Sequence, residues 1–509
     1  MNRKQRRAEG KQIGPGAPNG NLALAQRALG EAVALHQAGR LPEAVRAYQR
    51  SLGAAPAQPD ALQNLGSALN DLGRPAEALP CFAQALALRP AYPIAHLNRG
   101  NALWALGRPA EAVEAYGLAL AEKPDFAAAH DARALVLTEE GRFADALADA
   151  DAAVRLAARE AQTQNTRGNV LRALGRLDEA IAAYRQAVTL QPQYADGHFN
   201  LAQALLAAGA FAEAWREYEW RWATPQMAAA QRRFAAPLWT GEAGVGQRLL
   251  VHAEQGLGDV LQFCRYIPLL AECGFSVIFE VPRPLARLCA SLAGGADIVI
   301  QGERLPPFDL HIPLMSLPGR FGTRLESIPA AIPYLAPDPT ARALWRARLD
   351  GLGRGLRVGL AWAGNPSLDR PSRAAMDRRR SLAPARLETL WSVPGLRFVS
   401  LQKGGPALPD GLPVFDAMAE MVDFADAAAL VAELDLVIAV DSAVAHLAGA
   451  LGRPVWLLDR SDPCWRWLLG RRNSPWYPSL ALYRQPAPGD WDSVLAAVLR
   501  DLRALAGAA

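Results

Sequence analysis

The chain of 509 residues is short of several things, and each shortage excludes a class. No run approaches the ~20 uninterrupted apolar residues of a membrane span, and the N-terminus has no apolar stretch after its charges, so it reads as no secretory signal. Cysteine occurs only at 81, 264, 273, 289 and 464, an odd number without a C-x-x-C pair. Such residues read as free or buried thiols in a reducing cytoplasm. Net charge is almost absent once the ends are separated. Arg3, Lys4, Arg6, Arg7 and Lys11 against Glu9 supply the whole +4, leaving a neutral remainder and no general support for nucleic-acid binding. Residues 1–21 read as a basic, disordered, solubilising tail. Tryptophan is nearly missing from the first part: Trp104 alone precedes residue 215, and the other twelve lie at or beyond it. With 51% apolar and 20% charged residues the chain is globular, and its length calls for two to four domains.

What is present first is a period. Glycine recurs at 39, 73, 107, 141, 175 and 209, every 34 residues. Each is followed by an acidic-alanine pair: Glu43-Ala44, Glu77-Ala78, Glu111-Ala112, Asp145-Ala146, Glu179-Ala180 and Glu213-Ala214. Proline closes units at 56, 90, 124 and 192, with Ala158 in its place once. A 34-residue helix–turn–helix unit of this kind resembles the tetratricopeptide repeat, and six copies fill 22–228. Gly66, Gly100 and Gly168 would let the two helices of a unit approach, while Phe82, Tyr116, Tyr184 and Tyr218 would plug the next unit.

Asn64, Asn98 and Asn200 share one repeat position, and Asn101 and Asn169 lie three residues beyond it. Amides so spaced along a groove can bond the backbone of an extended polypeptide without reading its sequence. The repeat arrays of O-linked N-acetylglucosamine transferases resemble this; the alternative is that asparagine is a common consensus residue there. His96, His130 and His198 share another position, which makes them scaffold residues. Trp215, Tyr218, Trp220, Arg221, Trp222 and Trp239 read as a packed seam to the next domain.

From 248 onward short apolar strands alternate with helices, the pattern of parallel α/β sheets. Strands are expected at 248–253, 275–281, 297–300 and 309–312, then, after a proline-rich connector, at 356–362, 397–402, 435–440 and 454–458. A last amphipathic helix, about 490–505, could fold back onto the first unit. Two halves follow, 229–338 and 339–509, with ligands expected in the cleft at the strand C-terminal ends.

Two corners carry the chemistry. Glu254-Gln255-Gly256-Leu257-Gly258-Asp259 joins a strand to a helix, and Val440-Asp441-Ser442-Ala443-Val444-Ala445-His446 does the same in the second half. Helix N-termini offer backbone N–H groups to phosphate, although Ser442 and Asp259 serve equally as plain helix caps. Between the corners lies Gly364-Asn365-Pro366 and a basic loop ending Asp377-Arg378-Arg379-Arg380-Ser381, suited to phosphate oxygens. Lys403 is the only lysine after 123, which suggests a site wanting a compact ammonium.

These pieces together resemble the ADP-heptose:lipopolysaccharide heptosyltransferase superfamily, and its bacterial branch in which tetratricopeptide repeats precede the transferase. Asp462-Pro463-Cys464-Trp465-Arg466-Trp467 and Ser474-Pro475-Trp476-Tyr477-Pro478 are similar to that branch as well. The resemblance implies an α-solenoid followed by an α/β GT-B fold of two Rossmann-like halves. It implies an inverting glycosyltransferase that uses a nucleotide-diphosphate sugar as co-substrate, with no other cofactor. Asp259 would be the base; Arg378, Arg380, Lys403, Asp441, Ser442, Ala443 and His446 would hold the donor; Gln255, Gly256, Gly258 and Asn365 would line the acceptor side. A protein or peptide held by the repeats is the expected acceptor, a glycan or lipid-linked glycan the alternative, and a non-catalytic scaffold the reading from another class. The transferase half has no convincing D-x-D pair, so no metal is expected. Serine-alanine stands at 442–443 where heptosyltransferases usually have threonine-glycine, which leaves the donor open.

Overall fold

The structure, a computed structural model, describes residues 18–364, 371–409, 411–462 and 464–507. It divides into two compact units with the break after Ala158, inside the array and not at its end. Most of the basic tail lies outside the described residues, and helix α1 (Pro18–Gln37) begins within its last four. Among the described residues twelve helices run from α1 to α12 (Phe211–Tyr218), two to a repeat. No helix among them is long and apolar enough to cross a membrane.

The period has a backbone cause. Gly39, Gly73, Gly107, Gly141, Gly175 and Gly209 all carry φ between 71° and 82°, the left-handed region that a side chain resists. After each of the first five turns an arginine pairs with the acid three residues on, as in Arg74–Glu77 at 2.7 Å and Arg176–Glu179 at 2.7 Å. The sixth unit breaks this rule: Ala210 replaces the arginine, and Glu213 pairs with Arg185 at 2.8 Å.

Small and aromatic residues interlock differently from the sequence expectation. A methyl group on Gly66 would stand 2.6 Å from the Phe82 ring, on Gly100 2.4 Å from Tyr116, and on Gly168 2.5 Å from Tyr184. Each glycine is thus the seat for the aromatic ring of its own unit's second helix, and the ring plugs its own unit. Phe82, Tyr116 and Tyr184 are all fully buried there. His130 and His198 serve the scaffold as expected, bonding Asp149 (2.8 Å) and Glu217 (2.5 Å) within their units.

The second unit holds the last two repeats and two wholly parallel sheets. The first sheet has order β3-β2-β1-β4, with β1 (Arg248–His252) central beside β2 (Ser276–Val281) and β4 (Leu310–Pro313), and β3 (Asp297–Ile300) at the edge. The second has order β10-β9-β8-β5-β6-β7. Its members are β5 (Leu356–Ala361), β6 (Leu396–Ser400), β7 (Val414–Asp416), β8 (Leu436–Val440), β9 (Val455–Asp459) and β10 (Leu480–Arg484). Strands β7 and β10 are additions to the sequence reading. Parallel strands buried on both faces need no polar alternation, and β8, Leu-Val-Ile-Ala-Val, is buried throughout.

The helices that frame the site are α13 (Leu257–Phe263), α14 (Pro339–Asp350), α15 (Pro371–Arg380), α16 (Phe424–Val431), α17 (Ala443–Ala450) and α18 (Trp491–Gly507). Helix α18 corrects the sequence expectation: Trp491, Val494, Leu495, Val498 and Leu502 are buried with Val358, Leu360 and Phe398, so it covers the second sheet and not the first.

The aromatic run after the array is a seam within this unit. Trp215 Nε1 donates to the Thr323 carbonyl at 3.0 Å, its ring stands edge-on to Trp465 at 5.8 Å, and Phe211 stacks on Trp476 at 5.9 Å.

Candidate functional site

The two corners meet. Each sits at the C-terminal end of a central strand, β1 or β8, where the chain turns directly into a helix, α13 or α17. The contact is close at Gly258, where a methyl group would stand 2.9 Å from His446 Cδ2 and 3.7 Å from the Ala443 Cα. Only glycine permits that approach.

Asp259 occupies the third position of α13, and both its oxygens are engaged. One accepts the Gly256 N–H at 2.9 Å, which caps the helix from within. The other pairs with Arg466, a residue of the second half. Arg466 also donates to Gln262 Oε1 at 2.8 Å and to Cys464 Sγ at 3.1 Å, and lies on the Trp465 ring at 4.3 Å. Burial works against its charge, yet Asp259, Cys464 and Tyr218 together hold the guanidinium above its ordinary range. The cap and the base were alternatives in the sequence; the geometry adds a third engagement, an ion pair between halves.

Of the residues expected to flank Asp259, Gly256 is the exposed cap of α13 and Gly258 makes the contact just described. Gln255 turns away from this contact. Its Nε2 donates to the Tyr218 hydroxyl of the last repeat at 2.9 Å. Asn365 lies outside the described residues.

On the facing corner Asp441, Ser442 and Ala443 are half-buried at the mouth of α17. The Ser442 side chain does not cap the helix, and its Oγ is buried without a hydrogen-bond partner among the described residues. His446 is buried; its Nδ1 bonds the Tyr477 hydroxyl at 3.0 Å and its ring stacks on Trp467 at 5.2 Å. Burial, joined by nearby Arg466 and Arg265 against the pull of Asp441, lowers its pKa to about 3. At neutral pH His446 is therefore an uncharged packing group between the corners, not a cation for phosphate.

The basic helix divides its arginines. Arg380 reaches the corner, donating to the Asp441 carbonyl at 3.1 Å while Asp377 Oδ1 holds it at 2.8 and 2.9 Å. Gly364 makes room: a methyl group there would lie 2.1 Å from Arg380 and 2.2 Å from Asp377. Arg379 instead pairs with Asp462 at 3.0 Å beyond β9. Arg378 is exposed on the remaining face of α15. Lys403 follows β6 at the same sheet edge, and its ammonium donates to the Met421 carbonyl at 3.1 Å, so it is tied to a loop and not to Asp441.

Two buried carboxylates with raised pKa, Asp459 and Glu254, were not anticipated. Asp459, ending β9 beside β8, is 1% exposed and pairs with Arg484 at 2.9 Å. Burial, reinforced by Asp441 and opposed by Arg484, raises its pKa to about 7. Glu254 has a side chain only 3% exposed, and burial likewise raises it to about 7 against the pull of Arg221.

A family model described as glycosyltransferase family 9 (heptosyltransferase) matches residues 409–458, and tetratricopeptide repeat models match 63–125, 97–161 and 168–209. The chain joins tetratricopeptide repeats to a family 9-like transferase segment. That segment contains β8, α17 and most of β9, hence the Asp441–His446 corner; Asp259 lies before it. Protein FlbA of Caulobacter vibrioides is 29% identical over 330 residues, covering 58% of this chain and 53% of FlbA. The chain thus spans about half the length of the curated relative it matches. Among solved structures, a thermophilic tetratricopeptide-repeat protein of Thermus thermophilus is 27% identical (TM-score 0.33, 36% of this chain and 99% of that one). A tetratricopeptide repeat protein from Parabacteroides merdae is 20% identical (TM-score 0.34, 39% and 78%). The family matches support a glycosyltransferase with protein-binding repeats.

The asparagines of the array divide in the same manner as the arginines. Asn101 and Asn169 accept from the hydroxyls of Tyr116 (2.9 Å) and Tyr184 (2.8 Å), holding the seated rings. Asn200 donates to Asn165 at 2.9 Å. The side chains of Asn64 and Asn98 have no hydrogen-bond partner among the described residues and are half-buried. Spacing alone did not single out Arg466, Gln262 or Asp459, and it gave Gly364 and Arg379 no role of their own within the stretch between the corners. Arg466 stood in the tryptophan-rich run that carried part of the resemblance.

Proposed function

We propose that this chain is a metal-independent, inverting GT-B glycosyltransferase that moves a sugar from a nucleotide-diphosphate sugar to a hydroxyl of a polypeptide held by its repeats. The reading is supported above all by the Gly258 contact, which sets the Asp259 turn against the mouth of α17. The N-terminal amides of α17, the Ser442 hydroxyl and Arg380 would take the diphosphate. An acceptor hydroxyl attacks the anomeric carbon opposite the leaving group; a C–O bond forms, the C–O bond to phosphate breaks, and Asp259 takes the hydroxyl proton. Fixed amides and Arg380 stabilise the charge that grows on the leaving diphosphate. Five free thiols suit a reducing cytoplasm.

One observation favours a second role for Asp259. With one oxygen on Gly256 and the other on Arg466, it is equipped as a positioning carboxylate that locks the halves together. A thermal-shift screen of nucleotide-sugars is the first test: one nucleotide class should raise Tm, and no response to any nucleotide diphosphate would sink the transferase reading. Slow hydrolysis of the responding sugar, compared between the native chain and Asp259→Asn, then decides the role. The amide oxygen of asparagine still accepts from Gly256, so lost turnover with retained Tm marks the base. Mass spectrometry of cellular proteins with and without the chain separates a polypeptide acceptor from a glycan, since only the former loses a sugar mass.

A further inference from the structure

We infer that the last repeat is a positioning element of the transferase, with Arg221 and Tyr218 fixing Glu254 and Gln255 and, through them, the turn that carries Asp259. Arg221 lies just past α12 and is 0% exposed. Its guanidinium donates to Glu219 at 2.8 Å, to Ser316 Oγ at 2.7 Å and to Glu254 Oε1 at 3.2 Å, and lies against the rings of Tyr218 and Trp222. Glu254 Oε1 accepts in addition from the Met315 N–H at 3.1 Å. The Tyr218 hydroxyl takes the Gln255 amide at 2.9 Å. Between the end of β1 and the helix cap Gly256 only residues 253–255 intervene, and two of the three are tied to the repeat by side chains.

A second arm reaches the same carboxylate from the other half. The rings of Trp215 and Tyr218 stand edge-on to Trp465 at 5.8 and 6.4 Å, and Trp465 is the chain neighbour of Arg466, which pairs with Asp259. The last repeat thus touches the residues that precede the Asp259 turn and the chain neighbour of its arginine partner.

The chemistry of the seam argues for placement over adhesion. A buried arginine with its carboxylate is weak as a stabiliser, because desolvation offsets most of the attraction, and apolar residues would hold the seam as well. What a buried guanidinium bonded to Glu219, Ser316 and Glu254 supplies is one permitted geometry, since any other leaves its charge without partners in the interior. Here that geometry is imposed on the two residues preceding the Asp259 turn. A polypeptide lying along the last repeats would therefore meet a turn held by the helix that holds it. The catalytic meaning rests on the reading of Asp259 as the base; the mechanical link does not.

Hydrogen exchange of the full chain without ligand tests the link. In Arg221→Gln the amides of 254–263 should exchange roughly tenfold faster or more, as expected for a lost charge-assisted bond. Tyr218→Phe, which removes one hydroxyl and leaves the ring, should speed 255–258 alone, and Arg221→Lys should restore part of the protection. Strands β5 and β6 should be unchanged in all three. Acceleration confined to 215–225, or spread evenly over both sheets, would overturn the inference. Should Arg221→Gln fail to fold, Tyr218→Phe decides it alone. A failed nucleotide-sugar screen with this exchange pattern intact would remove the role of Asp259 and leave the positioning link standing.

Discussion

Asparagine in place of Asp459 should change how stability depends on pH more than it changes stability at any one pH. The carboxyl is 1% exposed, one oxygen meets Arg484 at 2.9 Å, and the other has no partner among the described residues. An unfolded aspartate loses its proton near pH ~4. In the folded chain burial and Asp441 raise that point to about 7. Between those values the folded state keeps a proton that the unfolded state has given up, so stability falls as pH rises, by about 1.4 kcal/mol per unit. Over the whole window the loss reaches about 4 kcal/mol. Glu254, also raised to about 7, acts in the same direction. His252 and His446, both lowered to about 3 mainly by burial, act oppositely: below ~6.5 the unfolded chain binds protons that the folded chain refuses. From about pH 4.5 to 6.5 these falling and rising contributions oppose each other, with Asp196 (raised by burial) and His311 (lowered by burial) adding one to each side, and the native curve should be shallow. Asp459→Asn removes one falling contribution. The difference between variant and native chain should climb by about 1.4 kcal/mol per pH unit from about 4 to 7 and be flat above. Denaturant unfolding followed by tryptophan fluorescence is the assay, because twelve of the thirteen tryptophans lie at or beyond residue 215, in the second unit. Parallel curves for the two proteins would show that Asp459 is ionised throughout and refute the reasoning.

Other substitutions separate the parts of the molecule. Gly258→Ala places a methyl group 2.9 Å from His446, and should cost about 1–3 kcal/mol in the second unit while abolishing any nucleotide-sugar response in the thermal-shift screen. Gly100→Ala must displace the Tyr116 ring from 2.4 Å, and should cost a similar ~1–3 kcal/mol in the array, read as an earlier loss of helical circular dichroism. Asn101→Ala removes the acceptor for the Tyr116 hydroxyl and should lower array stability by about 1 kcal/mol, whereas Asn64→Ala should leave it unchanged and weaken peptide binding; the reverse pattern would put the groove elsewhere.

Much of the fold was written in residues whose reasons are local. A left-handed turn every 34 residues demands glycine, and a buried parallel strand demands an unbroken apolar run, so the array and eight strands stood out. The strand Val414–Asp416 is three residues long, and Leu480–Arg484 lies beside an aromatic, proline-containing stretch that masks it. The last helix showed its apolar stripe plainly, yet a stripe says that a face is buried and not which sheet buries it. The site divides in the same way. Both corners were legible because an apolar strand run passes through an aspartate-containing polar turn straight into a helix pattern. Their partners were not: Arg466 is 207 residues from Asp259, and no local rule connects them. Neither could spacing say that Gln255 faces the repeats, that Asn101 and Asn169 hold rings, or that Lys403 is tied to the Met421 carbonyl.

The sixth turn of the array differs from the five before it, with Ala210 where the others have arginine and Glu213 paired back to Arg185. The first five turns are interchangeable parts: each has the same left-handed glycine and an arginine–acid pair at the same offset, so deleting or duplicating a 34-residue block among them would require no new turn. The sixth is a bespoke joint, its helix running straight into the residues that grip Glu254 and Gln255. Array length is then a free variable of this architecture and the joint a fixed one. Lineages that lengthen or shorten the array should change the reach of the groove for its polypeptide while keeping alanine, tryptophan and tyrosine at the joint.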